Sequence, residues 1–313
     1  MNEKAKGYLL AVIAAATYGM NPLFALPLYA DGMDPDSVLF FRYLFAIPMV
    51  GVMLKTRRGS DFHIRRKDLL PLIVLGILVA LSSLTLFEAY NYMDAGIAST
   101  ILFVYPIMVA LIMAAVYKEK VPLQTALCLL LALSGIAILY QGGDGVTLSL
   151  TGTLLVLGSA LSYAIYIVGV NRPGLKEMAT LKVTFYVLLF GVLLFVGRLW
   201  ADGSITLPTR WWLWGNLVAL GLFPTAISFL CTTSAIQRIG STPTAILGAL
   251  EPLTAILFGI TVFGERLTAR DCMGITLILV AVTVVVAGGS ITHQMVRFRK
   301  MFPRLAKKKR QRG

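Results

Sequence analysis

Ten apolar stretches, each of about the length that crosses a hydrocarbon layer, constrain this chain more than any other feature. They cover residues 7–30, 36–54, 68–93, 97–117, 123–140, 152–170, 180–200, 211–236, 242–263 and 272–290. A spanning helix needs about 20 predominantly apolar residues, since it rises about 1.5 Å per residue through a core about 30 Å thick. The runs of Leu, Ala, Gly and Met lack the period-two alternation of a barrel strand, so helices are expected. The connections are short and leave no room for an inserted soluble domain. Hydrophobic residues make up 58% of the chain and charged ones 14%, against roughly 45–50% and about 25% in a soluble domain. The expected fold is an all-α membrane protein of ten transmembrane helices.

The net charge of +13 is distributed in a way that sets orientation. With the N-terminus in the cytoplasm, 23 of the 28 Lys and Arg residues fall in inside segments, nine of them in the 291–313 tail. The outside connections hold Arg198, Arg210, Arg266 and Arg270, and Arg42 lies within a span. By the positive-inside rule both termini are expected in the cytoplasm, in a multi-pass protein of the cytoplasmic (inner) cell membrane. The basic tail suits anionic lipid rather than nucleic acid. Trp200, Trp211, Trp212 and Trp214 cluster at the outer ends of two spans, as interface anchors do. Cys128, Cys231 and Cys272 all fall within spans, so neither a disulfide framework nor a zinc site is expected. The first span lacks a small-residue cleavage site and is too long for a signal-peptide core, so it is expected to be retained.

The chain also matches itself at a displacement of about 146 residues. Thr17-Tyr18 corresponds to Ser162-Tyr163, Ala89 and Asn91 to Ala235 and Gln237, and Pro106 to Pro252. Val116, Tyr117, Glu119 and Lys120 correspond to Val262, Phe263, Glu265 and Arg266. Each copy holds five spans, an odd number, so the second must enter the membrane from the opposite side. Two inverted five-helix repeats are therefore expected over 1–145 and 146–290, followed by the basic tail 291–313. Inverted repeats rocking about a central site are a transporter plan.

The stretches AYNYMDAGIASTILFVYPIMVALIMAAVYKEKVP and AIQRIGSTPTAILGALEPLTAILFGITVFGERLT resemble the two EamA-domain signatures of the drug/metabolite transporter superfamily. The second copy carries Glu251-Pro252 and Gly264-Glu265-Arg266; the first departs, with Tyr105-Pro106 and Lys118-Glu119-Lys120. The resemblance spans about 7–290. It implies ten helices, cytoplasmic termini and a central cavity for a small-molecule substrate; it implies no particular substrate.

Polar groups within the spans are the candidate site. A charge near the bilayer centre costs roughly 2.5–3.5 kcal/mol on insertion scales, so each must face protein or a wet cavity. Glu251 lies roughly 14 Å from the cytoplasmic edge, near the midplane. It is a candidate for exchanging a proton or pairing with a cationic substrate, against the reading of a packing element. Arg42 and Glu88 fall roughly 9 and 8 Å below the outer edge, and this shared depth suggests an ion pair. Tyr18 and Asn21, Tyr90 and Tyr105, and Tyr163 and Tyr166 are candidates to line a cavity for a small amphiphilic metabolite. The repeat sets Tyr18 and Tyr163 across the central axis. Prolines 22, 27, 48, 106, 224, 243 and 252 interrupt spans, where freed backbone must meet protein or a cavity.

No phosphate loop, metal cluster or nucleophile triad is present, so neither an enzyme nor a cofactor is expected, and transport must draw on a gradient or exchange. His63 and His293 lie outside the spans, against a membrane-embedded enzyme. The expectation is a secondary transporter exporting a small metabolite such as an amino acid or amine, with membrane lipids as its surroundings and proton coupling as an option. The competing readings are a flippase for a lipid-linked metabolite and a non-transporting receptor or structural subunit.

Overall fold

The computed structural model describes residues 3–56, 62–117, 123–140, 149–170, 174–175, 178–202, 204–239, 244, 247–248, 250–281 and 284. Among them every regular element is helical. The order is α1 Glu3–Tyr18, α2 Asn21–Ala30, α3 Pro35–Thr56, α4 Arg66–Ala89, α5 Ala95–Leu102, α6 Tyr105–Tyr117, α7 Leu123–Tyr140, α8 Leu150–Val170 and α9 Thr180–Asp202. Then follow α10 Leu213–Leu220, a π-helical segment Gly221–Ile227, α11 Ser228–Ile239, α12 Leu250–Phe263 and a helix over 269–281. Among the described residues, six helical stretches are long and apolar enough to cross a membrane: Glu3–Ala30, Pro35–Thr56, Arg66–Ala89, Leu150–Val170, Thr180–Ala201 and Leu213–Ile236. Two shorter apolar stretches, Ala95–Val109 and Leu250–Phe263, accompany them. The chain is a multi-pass membrane protein.

Its surface agrees with lipid as solvent. Leu70, Val52, Leu130, Leu154 and Leu193 are well exposed on long helices, a distribution that water would penalise. Trp200 and Trp211 are 88% and 81% exposed. Inside, where helices gain nothing from leaving lipid, contact is made by close packing and hydroxyl bridges. Ser82 Oγ and Ser159 Oγ meet at 2.9 Å between α4 and α8, and Tyr43 Oη meets Ser83 Oγ at 3.1 Å between α3 and α4.

Three spans are broken or widened beside prolines expected to interrupt them, each where a proline removes an amide donor. The first breaks at Gly19-Met20, just before Pro22. A methyl group on Gly19 would come within 2.5 Å of the Glu251 carbonyl oxygen, so only glycine lets this break lie against the start of α12. The fourth apolar stretch breaks at Phe103-Val104, before Pro106. The eighth widens into the π-helical segment around Pro224. Pro27 and Pro48, in contrast, sit within helices that continue through them.

α4 packs against α8 and α9, α1 against α11, α3 against α9 and the π segment, and α5 against α12. At one end of the bundle the α2–α3 turn and the start of α3 are fastened to the end of α9 and the segment after it. Arg198 Nε and Nη2 donate to the two oxygens of Asp36 at 2.6 and 2.9 Å. The Thr206 amide donates to Ser37 Oγ at 2.9 Å, and the Thr206 hydroxyl donates to Asp34 Oδ2. Asp31 accepts from the Thr209 amide and hydroxyl, both at 2.6 Å. At this same end Glu265 Oε1 accepts from the Ala95 amide at 3.2 Å, capping α5. Burial, with Asp94 beside it, pushes the Glu265 carboxyl up.

Candidate functional site

The three breaks and the start of α12 converge. Tyr18 ends α1, Tyr105 opens α6, and Tyr163 and Tyr166 face them from α8. The Tyr18 and Tyr163 rings stack at 6.4 Å between centroids, as the repeat-related positions suggested. Tyr105 meets Tyr163 edge-on at 4.9 Å, and Tyr163 stacks on Tyr166 at 5.8 Å. Phe229 of α11 closes the group, at 6.5 Å from Tyr18 and 6.3 Å from Tyr166. A cavity about large enough for a water lies beside these rings between α8 and α11, lined by Tyr163, Tyr166, Phe229, Thr232, Thr233 and Ile236.

Two ionisable groups, Arg42 and Glu251, have no ion-pair partner among the described residues. Arg42 is 1% exposed and the largest fully buried side chain. Its Nε donates to Thr225 Oγ1 at 2.6 Å, its Nη2 reaches the Pro224 carbonyl at 3.5 Å, and its guanidinium lies 5.2 Å from the Phe87 ring centre. Its Nη1 has no partner. Glu251, the second residue of α12, is 7% exposed, and among the described residues its carboxyl has no hydrogen-bond or ion-pair partner. The Asn21 amide nitrogen and oxygen are likewise buried without partners, and the buried Tyr90 hydroxyl faces the Ser99 side chain.

The expected pairing of Arg42 with Glu88 does not form. The two share a depth, but successive helix positions point about 100° apart, and it is Phe87 that α4 turns toward Arg42. Glu88 is half-buried and faces Asp36, Arg198 and Asn91 instead, outside the ring cluster. Sequence reasoning passed over Phe87, Thr225 and Phe229. Thr225 carried a signal: it follows a proline in a span, where a hydroxyl is needed to satisfy the carbonyl the proline frees. Its Oγ1 donates to Leu220 O at 2.8 Å, four residues before Pro224.

An unpaired buried polar group costs about 1–3 kcal/mol, more when charged, and native interiors leave few of them. Here such groups lie beside helix breaks, Asn21 and Glu251 at the break between α1 and α2 and Arg42 at the π segment. That combination suits a small amphiphilic solute bearing charge. Among the described residues no cluster of His, Cys, Asp or Glu is arranged to hold a metal ion.

The chain is similar to several curated transporters. An uncharacterized transporter of Archaeoglobus fulgidus is 26% identical over 279 residues, covering 89% of this chain and 95% of its own. The uncharacterized inner membrane transporter YicL of Salmonella typhimurium is 26% identical over 296 residues, covering 91% and 96%. The uncharacterized transporter YcbK of Bacillus subtilis is 23% identical, covering 88% and 90%. A solved crystal structure shares the fold with a TM-score of 0.66 at 19% identity, over 90% of this chain and 96% of the other. The EamA-like transporter family matches twice, over residues 5–141 and 150–287, and this chain belongs to that family.

Proposed function

We propose that the chain is a ten-span secondary carrier, built as two inverted five-helix repeats with both termini in the cytoplasm, that exports a small amine-bearing metabolite by alternating access. The helix pairing supports the repeat. Exchanging the halves turns the contact of α1 with α11 into that of α8 with α4, and both are present. The same exchange turns the contact of α4 with α9 into that of the eighth stretch with α3, also present. The contacts of α3 with α9 and of α5 with α12 map onto themselves.

The observation that carries the function is the Glu251 carboxyl, buried and unpaired beside Tyr18 at the meeting of broken helices. Aromatic faces next to a carboxylate suit a cationic amine, by charge pairing and cation–π contact. With the α2–α3 end fastened, the small cavity between α8 and α11 lies on the side of the rings that the basic loops assign to the cytoplasm. The substrate then enters from the cytoplasm and binds Glu251. After release outside, a proton takes its place on the carboxyl for the return, so the carrier exchanges amine for proton.

The test is flux in proteoliposomes across an imposed pH gradient, screened over amino acids, polyamines and nucleosides. Glu251→Gln keeps the shape of the protonated acid and should fold. It should lose proton-driven accumulation and weaken amine binding about ten-fold or more, the worth of a charge-assisted hydrogen bond. Unchanged binding, accumulation and pH profile in equally folded protein would make Glu251 a packing element. A lipid-linked compound moved in place of soluble solutes would favour the flippase.

A further inference from the structure

We infer that Glu265 is a proton-operated latch: it joins α5 of the first half to α12 of the second, and protonation of its carboxyl tightens that joint while ionisation loosens it. The geometry comes first. Glu265 follows α12 by two residues, yet the helix it caps is α5. The N-cap position of α5 is Asp94, whose own side chain makes no cap bond. The Ala95 amide donates instead to Glu265 Oε1 at 3.2 Å, and the Gly96 amide donates to the same carboxyl. The chain bends sharply to bring the carboxyl there. Gly264 has a φ of +69°, left-handed backbone that glycine adopts without strain, and the Glu265 amide donates back to the Gly259 carbonyl at 3.0 Å. A methyl group on Gly259 would overlap Glu265 Oε2, and one on Gly96 would lie 3.2 Å from it. One glycine from each half thus forms the seat.

The second observation is the charge around that seat. Among the described residues Glu265 has no ion-pair partner, and its neighbours Arg266 and Arg270 are exposed. The titratable groups that face it are Asp94 at the start of α5 and Tyr90 at the end of α4. Asp271, on the helix over 269–281, accepts from the Thr268 amide and hydroxyl at 2.8 Å and lies beside Asp94. Asp31 and Asp34 of the α2–α3 turn are bonded to Thr209 and Thr206 instead. Two amide donors favour the Glu265 carboxylate, but burial and the like charge of Asp94 outweigh them and push the seated carboxyl up. In an opened joint, water returns it to the ordinary range near about 4.3. A carboxyl raised in the closed state holds its proton more tightly there. Closure therefore gains from protonation below the raised value and loses that gain as pH rises through it. In the carrier reading above, on which this consequence rests, an acidic outside closes the joint and returns the empty site toward the cytoplasm.

The experiment reads the width of the joint with spin labels at Tyr92 and Val262, both exposed, one on each half. Cys128, Cys231 and Cys272 are first replaced by alanine, and the full chain is reconstituted in lipid without substrate. The distance should be short and narrowly distributed at pH 5, and longer or broader at pH 8. Glu265→Gln keeps the shape of the neutral acid and should hold the short distance at both pH values. Asp94→Asn removes the like charge and should move the transition to lower pH. A distance that is the same at pH 5 and pH 8, or longer at pH 5, overturns the latch. So does a Glu265→Gln protein that keeps the pH response of the unsubstituted one. If Glu265→Gln fails to fold, the sign of the change and its shift in Asp94→Asn decide the matter. An Asp94→Asn transition that stays in place overturns the coupling, and one replaced by the short distance at every pH makes Asp94 the switch instead. None of these outcomes bears on the carrier reading, which stands or falls on the flux screen.

Discussion

Pro224 removes the amide that would bond to the Leu220 carbonyl, and the Thr225 hydroxyl takes that place while its oxygen accepts from Arg42 Nε. One hydroxyl therefore satisfies the backbone and holds the charge. Thr225→Val keeps the shape and loses both bonds, which should cost about 1–3 kcal/mol of stability. Thr225→Ser should stay close to wild type. Thermal unfolding in detergent checks this, and a valine variant as stable as the serine one would mean Arg42 is held by packing alone. At this scale the sequence disclosed which residues carry charge and which tyrosines are related by the repeat, and Tyr18 does meet Tyr163. It did not disclose facing. Helices in lipid are apolar all round, so the amphipathic stripe that orients a soluble helix is missing. Arg42 was therefore assigned to Glu88 on depth alone, while Phe87 and Phe229 passed as ordinary apolar residues.

The elements repeat that lesson in another form. Ten blocks were legible from hydropathy, and helix is found in each of them, because length and composition are what a bilayer selects. The breaks were only partly legible. Prolines 22, 106 and 224 mark them, yet Pro48 leaves α3 intact, since a proline disrupts only the turn before it and neighbours can satisfy what it frees. At Gly221 the consequence is close approach. A methyl group there would lie 3.0 Å from Phe45 Cβ, 3.1 Å from the Arg42 carbonyl oxygen and 3.2 Å from the Ala46 nitrogen. Two of these are backbone atoms that cannot swing away. Gly221→Leu should push the π segment off α3, cost about 1–3 kcal/mol as overpacking does, and impair binding through displaced Thr225. Gly215, one and a half turns earlier, would meet nothing within 4 Å, so Gly215→Ala should be tolerated. Equal stability of the two variants would remove Gly221 from the site's support.

At the scale of the whole molecule, the two halves of the chain are joined at the fastened end, to which both contribute. Asp31, Asp34 and Asp36 come from the first half; Arg198, Thr206 and Thr209 come from the second. Opening toward that side must break the bidentate Asp36–Arg198 pair. The carboxylates also state how this end responds to pH. Burial opposes ionisation of Asp34, but the Thr206 hydroxyl and the Ser37 amide outweigh it and hold its carboxyl below the ordinary range. The Thr209 hydroxyl and amide do the same for Asp31. A depressed carboxyl stabilises the fastened state wherever the ordinary carboxylate is ionised, and this is lost only as pH falls through the depressed value, below about 4. Acidification from pH 8 to 5 should therefore leave the Asp31 and Asp34 bonds of this end intact, and a carboxyl at this end that takes up a proton in that range is Glu265 or Asp94, both pushed up by burial. Spin labels at Ala30 and Ile205, both exposed beside the fastened turn, report the opening as a distance. That distance should stay constant between pH 8 and 5 in wild type. In Asp36→Asn it should lengthen or broaden at neutral pH, because Arg198 loses its charged partner. A wild-type distance that grows on lowering the pH to 5 would put a proton switch on the Asp31 and Asp34 bonds. An Asp36→Asn distance identical to wild type would mean that the ion pair does not hold the halves together.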